Sequence, residues 1–409
     1  MSWLVDYARL TEGKDGKYGQ KDIVQSVKTK ILNGSTNDTI VIKGPAGTGK
    51  TLVLAHIALQ VPEKTGIFFV YTKILVKFLK SAFANTNRAG AVEQLGVDSF
   101  YKWLFRIYKN TFHESPPAID PFEKKADHMI ERLSRQIKGK IFDYALIDEG
   151  QDFRPNVIAF IRSITKVVVF VGDGNQAIYV GHKDDLSDLT TLLGNHDSYY
   201  LKLSIRISPS LIALLYPYIS RIKEYKQGLK YLKRDPEKSS LKDSKPLWYR
   251  EIQYDDFIAY FAETLAMEYV RSGKNIAIVC YHNEDVTRIA DELRNRVDEK
   301  FVVHVTTELT QDVDFSENKI FLLTMHSSKG LEFDNMLYLH INSSPRNGEQ
   351  KLYDNLAYTV YTRPKEDLII YSPDKDIPLK SAMNLDYMTI IDALDTANEG
   401  DDIEEIEIY

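Results

Sequence analysis

The sequence predicts an α/β fold of two lobes, each with a parallel sheet flanked by helices. Short apolar strands alternate with amphipathic helical segments, a pattern typical of parallel sheets. The strands form two series, separated by a polar segment at 224–246 that has the composition of a surface loop or linker. We expect residues 1–200 to form the first lobe, 201–392 the second, and 393–409 an acidic tail.

The predicted strands are continuous apolar runs, as expected for strands buried on both faces. In the first lobe these runs are TIVIKG (39–44), GIFFVYT (66–72), YALID (144–148) and KVVVFVGD (166–173), and in the second NIAIVCY (275–281) and KIFLLTM (319–325). An amphipathic helix is predicted at 73–83. A short insertion at about 101–141, rich in lysine and arginine, is expected to be helical near 121–137.

Composition favours a soluble protein with more than one domain. The chain has 409 residues, of which 44% are hydrophobic, enough to form two or three cores. A single cysteine, Cys280, excludes an internal disulfide framework and fits a reducing compartment. The longest apolar stretches fall well short of the ~20 residues that span a bilayer, and the first residues lack the build of a signal peptide. We therefore expect a cytoplasmic protein.

The net charge conceals an uneven distribution. The formal charge is −6, but residues 395–409 carry seven acidic side chains and no basic one, so the rest of the chain stands near +1. A body this close to neutral is compatible with a basic groove for a polyanion. The acidic end is expected to be solvated, or else to screen a basic site.

The segment GPAGTGKT at 44–51 fits the pattern GxxxxGK[ST]. Glycines allow backbone amides to wrap a triphosphate, Lys50 reaches its β and γ phosphates, and the Thr51 hydroxyl binds Mg²⁺. The predicted nucleotide-binding residues are Gly44, Pro45, Ala46, Gly47, Thr48, Gly49, Lys50 and Thr51. The alternative is a glycine loop at a tight turn, but the position between a strand and a helix favours the phosphate site.

An acidic cluster follows a predicted strand in DYALIDEGQD at 143–152. Carboxylates this close repel one another unless a cation lies among them. Asp148 can bind Mg²⁺ directly or through water, and Glu149 can take a proton from the attacking water. A solvated acidic turn would look the same in isolation, but the phosphate loop favours a hydrolytic site.

Two weaker signals point to the same chemistry. GDGNQAIY at 172–179 supplies Gln176, an amide able to contact both the γ phosphate and the attacking water. YTVYTRPKE at 358–366 supplies Arg363, a fixed cation for charge building on the transferred phosphoryl group. Alone, GDGN usually marks a turn and an arginine is usually solvated.

In this order, GPAGTGKT, IDEGQD, GDGNQAIY, TMHSSKGLEFD (324–334) and YTVYTRPKE resemble the UvrD/Rep/PcrA-like branch of superfamily 1 helicases. The acidic motif and KGLEF are the most specific of the five, and the resemblance covers most of the chain. It implies two RecA-like lobes that hydrolyse ATP with Mg²⁺ at their interface. It also implies translocation on single-stranded DNA, 3′ to 5′, with RNA not excluded.

The resemblance assigns roles to further residues. Gln20 is similar to the glutamine that reads adenine, with Gln25 or a plain surface glutamine as alternatives. Gln151 matches the glutamine that couples nucleotide to nucleic acid, and Arg206 a second cation for the γ phosphate from the second lobe. Glu332 is expected to approach the ribose.

The resemblance also implies contacts to single-stranded DNA. The residues at those positions are Thr72, Lys73, Ser99, Phe100, Tyr179, His326, Ser327 and Lys329. Hydroxyls and lysines hold phosphates, while aromatic rings stack on bases at about 1–3 kcal/mol per base. Phe100 and Trp103, at helical spacing, are equally compatible with a core, and His326 with a buried structural histidine.

The chain departs from the family pattern at several positions. Ile205 stands where the family has a stacking tyrosine, Gly181 where it has a stacking tryptophan, and Pro364 replaces a small residue. Base selectivity and stepping along DNA are therefore in doubt, while Arg363 is expected to keep its place. Only 27 residues, 297–323, occupy the region where the family carries a large inserted 2B-type subdomain.

These departures predict a compact motor for which translocation is favoured over unaided processive unwinding. The sequence shows no nuclease motif, so cutting would need a separate nuclease or another partner subunit. A nucleotide-switched scaffold or regulatory subunit without motor activity is the main alternative. An unrelated P-loop enzyme such as a kinase is a third, which the DEGQD and KGLEF segments oppose.

Overall fold

The computed structural model describes most of the chain. The described residues are 10, 12, 19–34, 37–70, 73–84, 94–176, 193, 195–202, 204, 207–221, 243–305, 313, 317–341 and 349–392. Several residues singled out above lie outside them: Thr72, Tyr179, Gly181, Ile205, Arg206 and the tail at 393–409. None of the helices in the described part is both long and apolar enough to cross a bilayer.

The first lobe is built on a six-stranded parallel sheet. Its strands are β1 (Asp38–Lys43), β2 (Gly66–Phe69), β3 (Leu95–Asp98), β4 (Phe142–Ile147), β5 (Thr165–Gly172) and β6 (Asp197–Tyr200). Their order across the sheet is β3-β2-β4-β5-β1-β6. The four strands predicted for this lobe correspond to β1, β2, β4 and β5, whereas β3 and β6 had not been predicted.

Helices cover both faces of this sheet. They are α1 (Gln20–Leu32), α2 (Lys50–Gln60), α3 (Lys73–Ala84), α4 (Phe100–Phe112), α5 (Phe122–Gln136) and α6 (Pro155–Ile164). The first three pack over the face that carries Val169, and the other three over the face that carries Val168 and Phe170. Because successive side chains of β5 are buried on opposite faces, the strand is apolar throughout. The predicted insertion helix is α5, and α4 precedes it.

The second lobe has a seven-stranded parallel sheet. Its strands are β7 (Leu247–Arg250), β8 (Ile276–Cys280), β9 (Val302–His304), β10 (Ile320–Thr324), β11 (Asn335–Leu339), β12 (Leu368–Ser372) and β13 (Thr389–Ile391). The order is β13-β7-β12-β11-β8-β10-β9. Both strands predicted for this lobe, β8 and β10, are present.

Helices also flank the second sheet. They are α7 (Pro209–Ile219), α8 (Tyr254–Tyr260), which continues through a π-helical turn (Phe261–Ala266) into α9 (Met267–Arg271), α10 (Asn283–Arg294) and α11 (Gln350–Tyr361). Between α10 and β10, the described residues hold only a 3-10 turn at Glu299–Phe301 and the three-residue β9. This short connection agrees with the predicted compact second lobe.

Strand order explains why distant motifs converge. In the first sheet β5 lies between β4 and β1, and all three strands run parallel. The carboxyl ends of parallel strands meet at one edge, where open α/β sheets bind ligands. Three segments therefore lie side by side there: the phosphate loop after β1, the acidic loop after β4, and residues 173–176 after β5.

Close approach of two strands makes Gly66 a sensitive position. Gly66 pairs with Tyr144 across β2 and β4, and a Cβ added at Gly66 would lie 2.1 Å from Cζ of Tyr144. Gly66→Ala is therefore expected to lower the free energy of unfolding by about 1–3 kcal/mol through overpacking. Urea denaturation followed by fluorescence measures the change. Adding Tyr144→Val should recover part of the loss, and a Gly66→Ala protein as stable as the wild type would contradict the packing shown here.

Candidate nucleotide site between the two lobes

The phosphate loop turns sharply into the amino end of α2. Gly47 and Gly49 have φ values of +75° and +76°, a left-handed conformation that glycine adopts without strain. The buried Lys50 amine donates hydrogen bonds to the carbonyl oxygens of Gly44, at 2.8 Å, and Pro45, at 3.0 Å. A curled loop ahead of a helix N-terminus has the geometry of a phosphate site.

Gln20 lies against this loop. Its side-chain Nε2 donates to the carbonyl oxygen of Thr48 at 2.8 Å, and the side chain is buried. Gln25, the alternative on the same helix, is exposed. The structure thus brings Gln20, and not Gln25, to the loop, and its contact with adenine remains a prediction.

The acidic loop after β4 faces the start of α2. The Thr51 hydroxyl donates to Asp148 Oδ2 at 2.7 Å. Glu149 has a φ of +53°, which is uncommon for a residue other than glycine and is found at functional sites. Gln151 joins two segments, because its Nε2 donates to Glu149 Oε2 at 2.5 Å and its Oε1 accepts the Asp173 N–H at 3.2 Å.

Burial and nearby charges shift the pKa values of Asp148 and Glu149 in opposite directions. Burial, followed by the charge of Glu149, raises the pKa of Asp148 above its usual range. Burial also acts to raise the pKa of Glu149, but Lys329, Lys50 and Arg363 outweigh it and hold that pKa below its usual value. Glu149 is therefore ionised, whereas a cation near Asp148 would favour its charged form.

The neighbourhood of Asp148 fits Mg²⁺. A hydroxyl and a carboxylate oxygen in contact are the hard ligands this ion prefers, and it usually retains waters and phosphate oxygens in addition. Within the part of the chain that the structure describes, no group of three or more histidine, cysteine, aspartate or glutamate residues could hold a metal. Thr51 and Asp148 are the residues predicted to hold the ion together with a nucleotide, and this role remains a prediction.

Side chains of the second lobe reach into this site. Lys329 lies 2.5 Å from Asp152 Oδ2 and 3.9 Å from Glu149 Oε2, and it donates to the carbonyl oxygen of Gln176 at 2.7 Å. The Gln176 amide Nε2 donates to the Thr362 hydroxyl at 3.4 Å. The acidic loop and Gln176 are thereby tied to two segments of the opposite lobe.

The hydroxyl of Tyr358, on α11, also crosses between the lobes. It accepts the backbone N–H of Ala46 and donates to Asp173 Oδ2, both at 3.3 Å. Arg363 follows the same helix and is buried, with Nε donating to the Thr359 carbonyl oxygen at 2.9 Å. Its charge acts on both Lys50 and Glu149, so this predicted cation lies near the site.

Two residues predicted to contact nucleic acid are buried in this structure. Phe100 is 3% exposed and packs edge-on against Phe69, because the apolar side of α4 faces the sheet. The core alternative holds for Phe100 and for Trp103, which is 4% exposed. Lys329 is 1% exposed and pairs with Asp152, and its contact with nucleic acid remains a prediction.

The side chains of three other predicted contacts are more exposed than those of Phe100 and Lys329. Ser99 is half-buried immediately before α4, His326 is exposed after β10, and Ser327 is half-buried beside it. Lys73 is the first residue of α3. Glu332 is half-buried in the turn between β10 and β11. The roles of these residues remain predictions.

Sequence reasoning assigned no individual role to four residues of the site: Asp152, Asp173, Tyr358 and Thr362. The first two follow strands at the carboxyl edge of the first sheet, and this placement is a signal that could have marked them. The other two belong to a quoted motif, but local sequence carries no sign that their hydroxyls contact the other lobe.

Comparisons with protein families agree with the architecture. A model described as "AAA domain" matches residues 28–182, and one described as "UvrD-like helicase C-terminal domain" matches residues 119–374, more than half of the chain. The chain belongs to the UvrD-like helicase family. This confirms the family that the sequence motifs predict.

Solved structures similar to this UvrD-like chain include viral helicases. Arterivirus nonstructural protein 10 (helicase) is 16% identical, with 87% of this chain and 64% of that chain covered and a TM-score of 0.42. A complex of that protein with DNA is also 16% identical, with 85% of this chain and 64% of that chain covered and a TM-score of 0.41. The PRRSV helicase is 14% identical, with 88% of this chain and 56% of that chain covered and a TM-score of 0.43. The chain thus spans 56% to 64% of these proteins. No curated protein sequence gives a significant match.

The buried pair of Lys329 and Asp152 should dominate stability at the lobe interface. Lys329→Met is expected to reduce the free energy of unfolding by about 3–5 kcal/mol, because it leaves a buried carboxylate without its cation. Adding Asp152→Leu should recover most of this loss by removing both charges. Lys300→Met, which breaks an exposed pair with Asp298, should cause no measurable change. Chemical denaturation distinguishes the variants, and equal effects at both lysines would contradict the buried pair.

Proposed function

We propose that this chain is an ATP-hydrolysing motor that moves along single-stranded nucleic acid, DNA in the first instance, in the 3′ to 5′ direction. The observation that carries the proposal is that the Lys329 amine, from the second lobe, lies 3.9 Å from Glu149 Oε2 in the first, where the charge of Arg363 also acts. A site assembled from both lobes is complete only when they are closed, which links each hydrolysis event to a lobe movement.

In this proposal the phosphate loop and Lys50 bind the triphosphate. The backbone N–H groups of the loop donate hydrogen bonds to phosphate oxygens, and the Lys50 amine turns from the loop carbonyls toward the phosphates. Gln20, already bonded to the loop at Thr48, contacts the adenine, and Glu332 contacts the ribose.

Thr51 and Asp148 hold Mg²⁺ in the same proposal. The bound ion would neutralise charge on the β and γ phosphate oxygens. Asp148 has a raised pKa because it is buried beside Glu149, so it gains from a nearby positive charge. The Thr51 hydroxyl donates a hydrogen bond to Asp148 in this structure, and rotation of the side chain would turn its oxygen lone pair toward the ion.

Glu149 acts as the general base. It is ionised, its Oε2 accepts a hydrogen bond from Gln151, and it can take a proton from the attacking water. Gln176 orients that water, while Arg363 stabilises charge that develops on the phosphoryl group. Arg206 would add a second cation from the second lobe.

The nucleic-acid strand is proposed to cross the carboxyl edges of both sheets. Ser99 follows β3 in the first lobe, and His326 and Ser327 follow β10 in the second. Thr72, Lys73 and Tyr179 would extend this surface. Hydroxyls and lysines suit phosphate contacts, and the tyrosine suits base stacking.

Arg363→Ala should separate binding from catalysis. We expect ATP affinity to change little while the rate of hydrolysis falls on the order of 10³-fold, because the cation acts mainly on charge in the transition state. Calorimetric titration and steady-state ATPase assays measure the two quantities. Arg294→Ala removes an arginine of the same lobe that pairs with Asp291, and should leave both unchanged. Equal losses of affinity and rate in Arg363→Ala would reject the proposed role.

Motor activity is tested by the ATPase rate with and without single-stranded DNA or RNA. We expect single-stranded nucleic acid to raise the ATPase rate of the wild type, because closure of the lobes needs both nucleotide and strand. Lys50→Ala, which weakens nucleotide binding, is expected to abolish hydrolysis. Strand displacement from partial duplexes with 3′ or 5′ overhangs then determines polarity. Failure of both nucleic acids to stimulate hydrolysis would favour a nucleotide-switched scaffold, and phosphate transfer to an acceptor other than water would indicate a different class of enzyme.

A further inference from the structure

We propose that Tyr358 sets the nucleotide affinity of the site, because its hydroxyl holds the phosphate loop against the second lobe and has to release it before a triphosphate can bind. The inference rests on the proposed nucleotide site. It makes Tyr358 a positioning residue that acts through the loop.

The contact joins two groups of the first lobe through one atom of the second. The Tyr358 hydroxyl accepts the Ala46 N–H and donates to Asp173 Oδ2, each at 3.3 Å. Burial, and then the charge of Asp173, raise the pKa of Tyr358 well above its ordinary value. The hydroxyl therefore keeps its proton, and the bond to the carboxylate persists at neutral pH. The ring of Tyr218 lies 5.3 Å away and supports that of Tyr358.

The second lobe surrounds the turn of the loop on several sides. Ala46 packs in the apolar core of the second lobe, together with Ile207. A Cβ added at Gly47 would lie 2.7 Å from Ile207 Cγ1 and 2.8 Å from Ser204 Oγ, so these atoms already occupy the space beside the loop. A triphosphate that contacted the loop from this side would have to displace these atoms.

Two donors of the loop that could reach a phosphate are engaged within the protein. Lys50 donates to Gly44 and Pro45, and Ala46 donates to Tyr358. A phosphate that accepts the Ala46 N–H and the Tyr358 contact therefore exclude each other. When only part of a population is competent to bind, the apparent dissociation constant rises in inverse proportion to that part. Loss of the Tyr358 hydroxyl enlarges the competent population and tightens binding.

Tyr361 provides a matched control on the same helix. It too is fully buried, and its hydroxyl donates to the Pro378 carbonyl oxygen at 3.3 Å within the second lobe. Tyr361→Phe and Tyr358→Phe each delete one buried hydroxyl and keep the ring. Only the second change removes a contact between the lobes.

The experiment titrates Mg²⁺ with ADP, and Mg²⁺ with a non-hydrolysable ATP analogue, into the full chain by calorimetry. Tyr358→Phe is expected to bind both nucleotides roughly three- to tenfold more tightly, the range for loss of the one hydrogen bond, from the Ala46 N–H, that competes with phosphate. Tyr361→Phe should bind as the wild type does. The KM for ATP should fall in Tyr358→Phe without a matching rise in kcat, a split that a general loss of stability would not produce.

Unchanged or weaker binding in Tyr358→Phe would overturn the inference, as would an equal change in Tyr361→Phe. If Lys50→Ala bound both nucleotides as well as the wild type does, or if the wild type bound neither, the proposed nucleotide site itself would fail. Binding that depends on Lys50 but is insensitive to the Tyr358 hydroxyl would reject only the role of Tyr358.

Discussion

The site depends on one buried cation of the second lobe, Lys329, held among polar groups of the first. Its amine lies 2.5 Å from Asp152 and donates to the carbonyl oxygen of Gln176. Removal of two charges from water is costly unless hydrogen bonds satisfy the remaining groups, and the Gln176 oxygen supplies one such bond. The pair anchors the second lobe to the acidic loop, whereas Tyr358 contacts the phosphate loop separately, through its own hydrogen bonds to Ala46 and Asp173. The ionised state of Glu149 follows from the same cation, since Lys329 is the strongest of the charges that lower its pKa.

The sheet order makes this charge arrangement possible. The phosphate loop, the acidic loop and residues 173–176 each follow one of three adjacent parallel strands, so side chains from distant segments reach one edge. The strands β1, β4, β5, β8 and β10 could be predicted from sequence because they are buried runs of apolar residues. By contrast, β3, β9 and β13 are four, three and three residues long and carry half-buried or exposed positions. Such short segments have too little apolar periodicity to distinguish them from loops.

The sequence indicates contacts of the site where the chemistry is local, but not where a contact crosses between the lobes. Thr51 and Asp148 could be paired because a loop and a strand end with familiar spacing imply a shared ion, and the structure joins them at 2.7 Å. Lys329 was assigned to nucleic acid because a lysine in that motif is similar to one that contacts DNA. Its partner Asp152 lies 177 positions away, and no sequence period relates the two. The Tyr358 contact with Ala46 spans 312 positions, and burial of a hydroxyl against another lobe leaves no local signature.

The contacts between the lobes can be ranked by the free energy that it costs to break them. A neutral hydrogen bond contributes about 0.5–1.5 kcal/mol net, which is the scale for the Gln176 contact with Thr362. The Tyr358 bond to Asp173 is somewhat stronger because its acceptor is charged. Separation of Lys329 from Asp152 leaves a buried charge behind and costs about 3–5 kcal/mol. The weaker contacts therefore include the one at the phosphate loop, and the strongest lies at the acidic loop. A movement that separates the lobes at Ala46 while Lys329 keeps its partner would open the phosphate loop at the lower cost, with Glu149 still ionised.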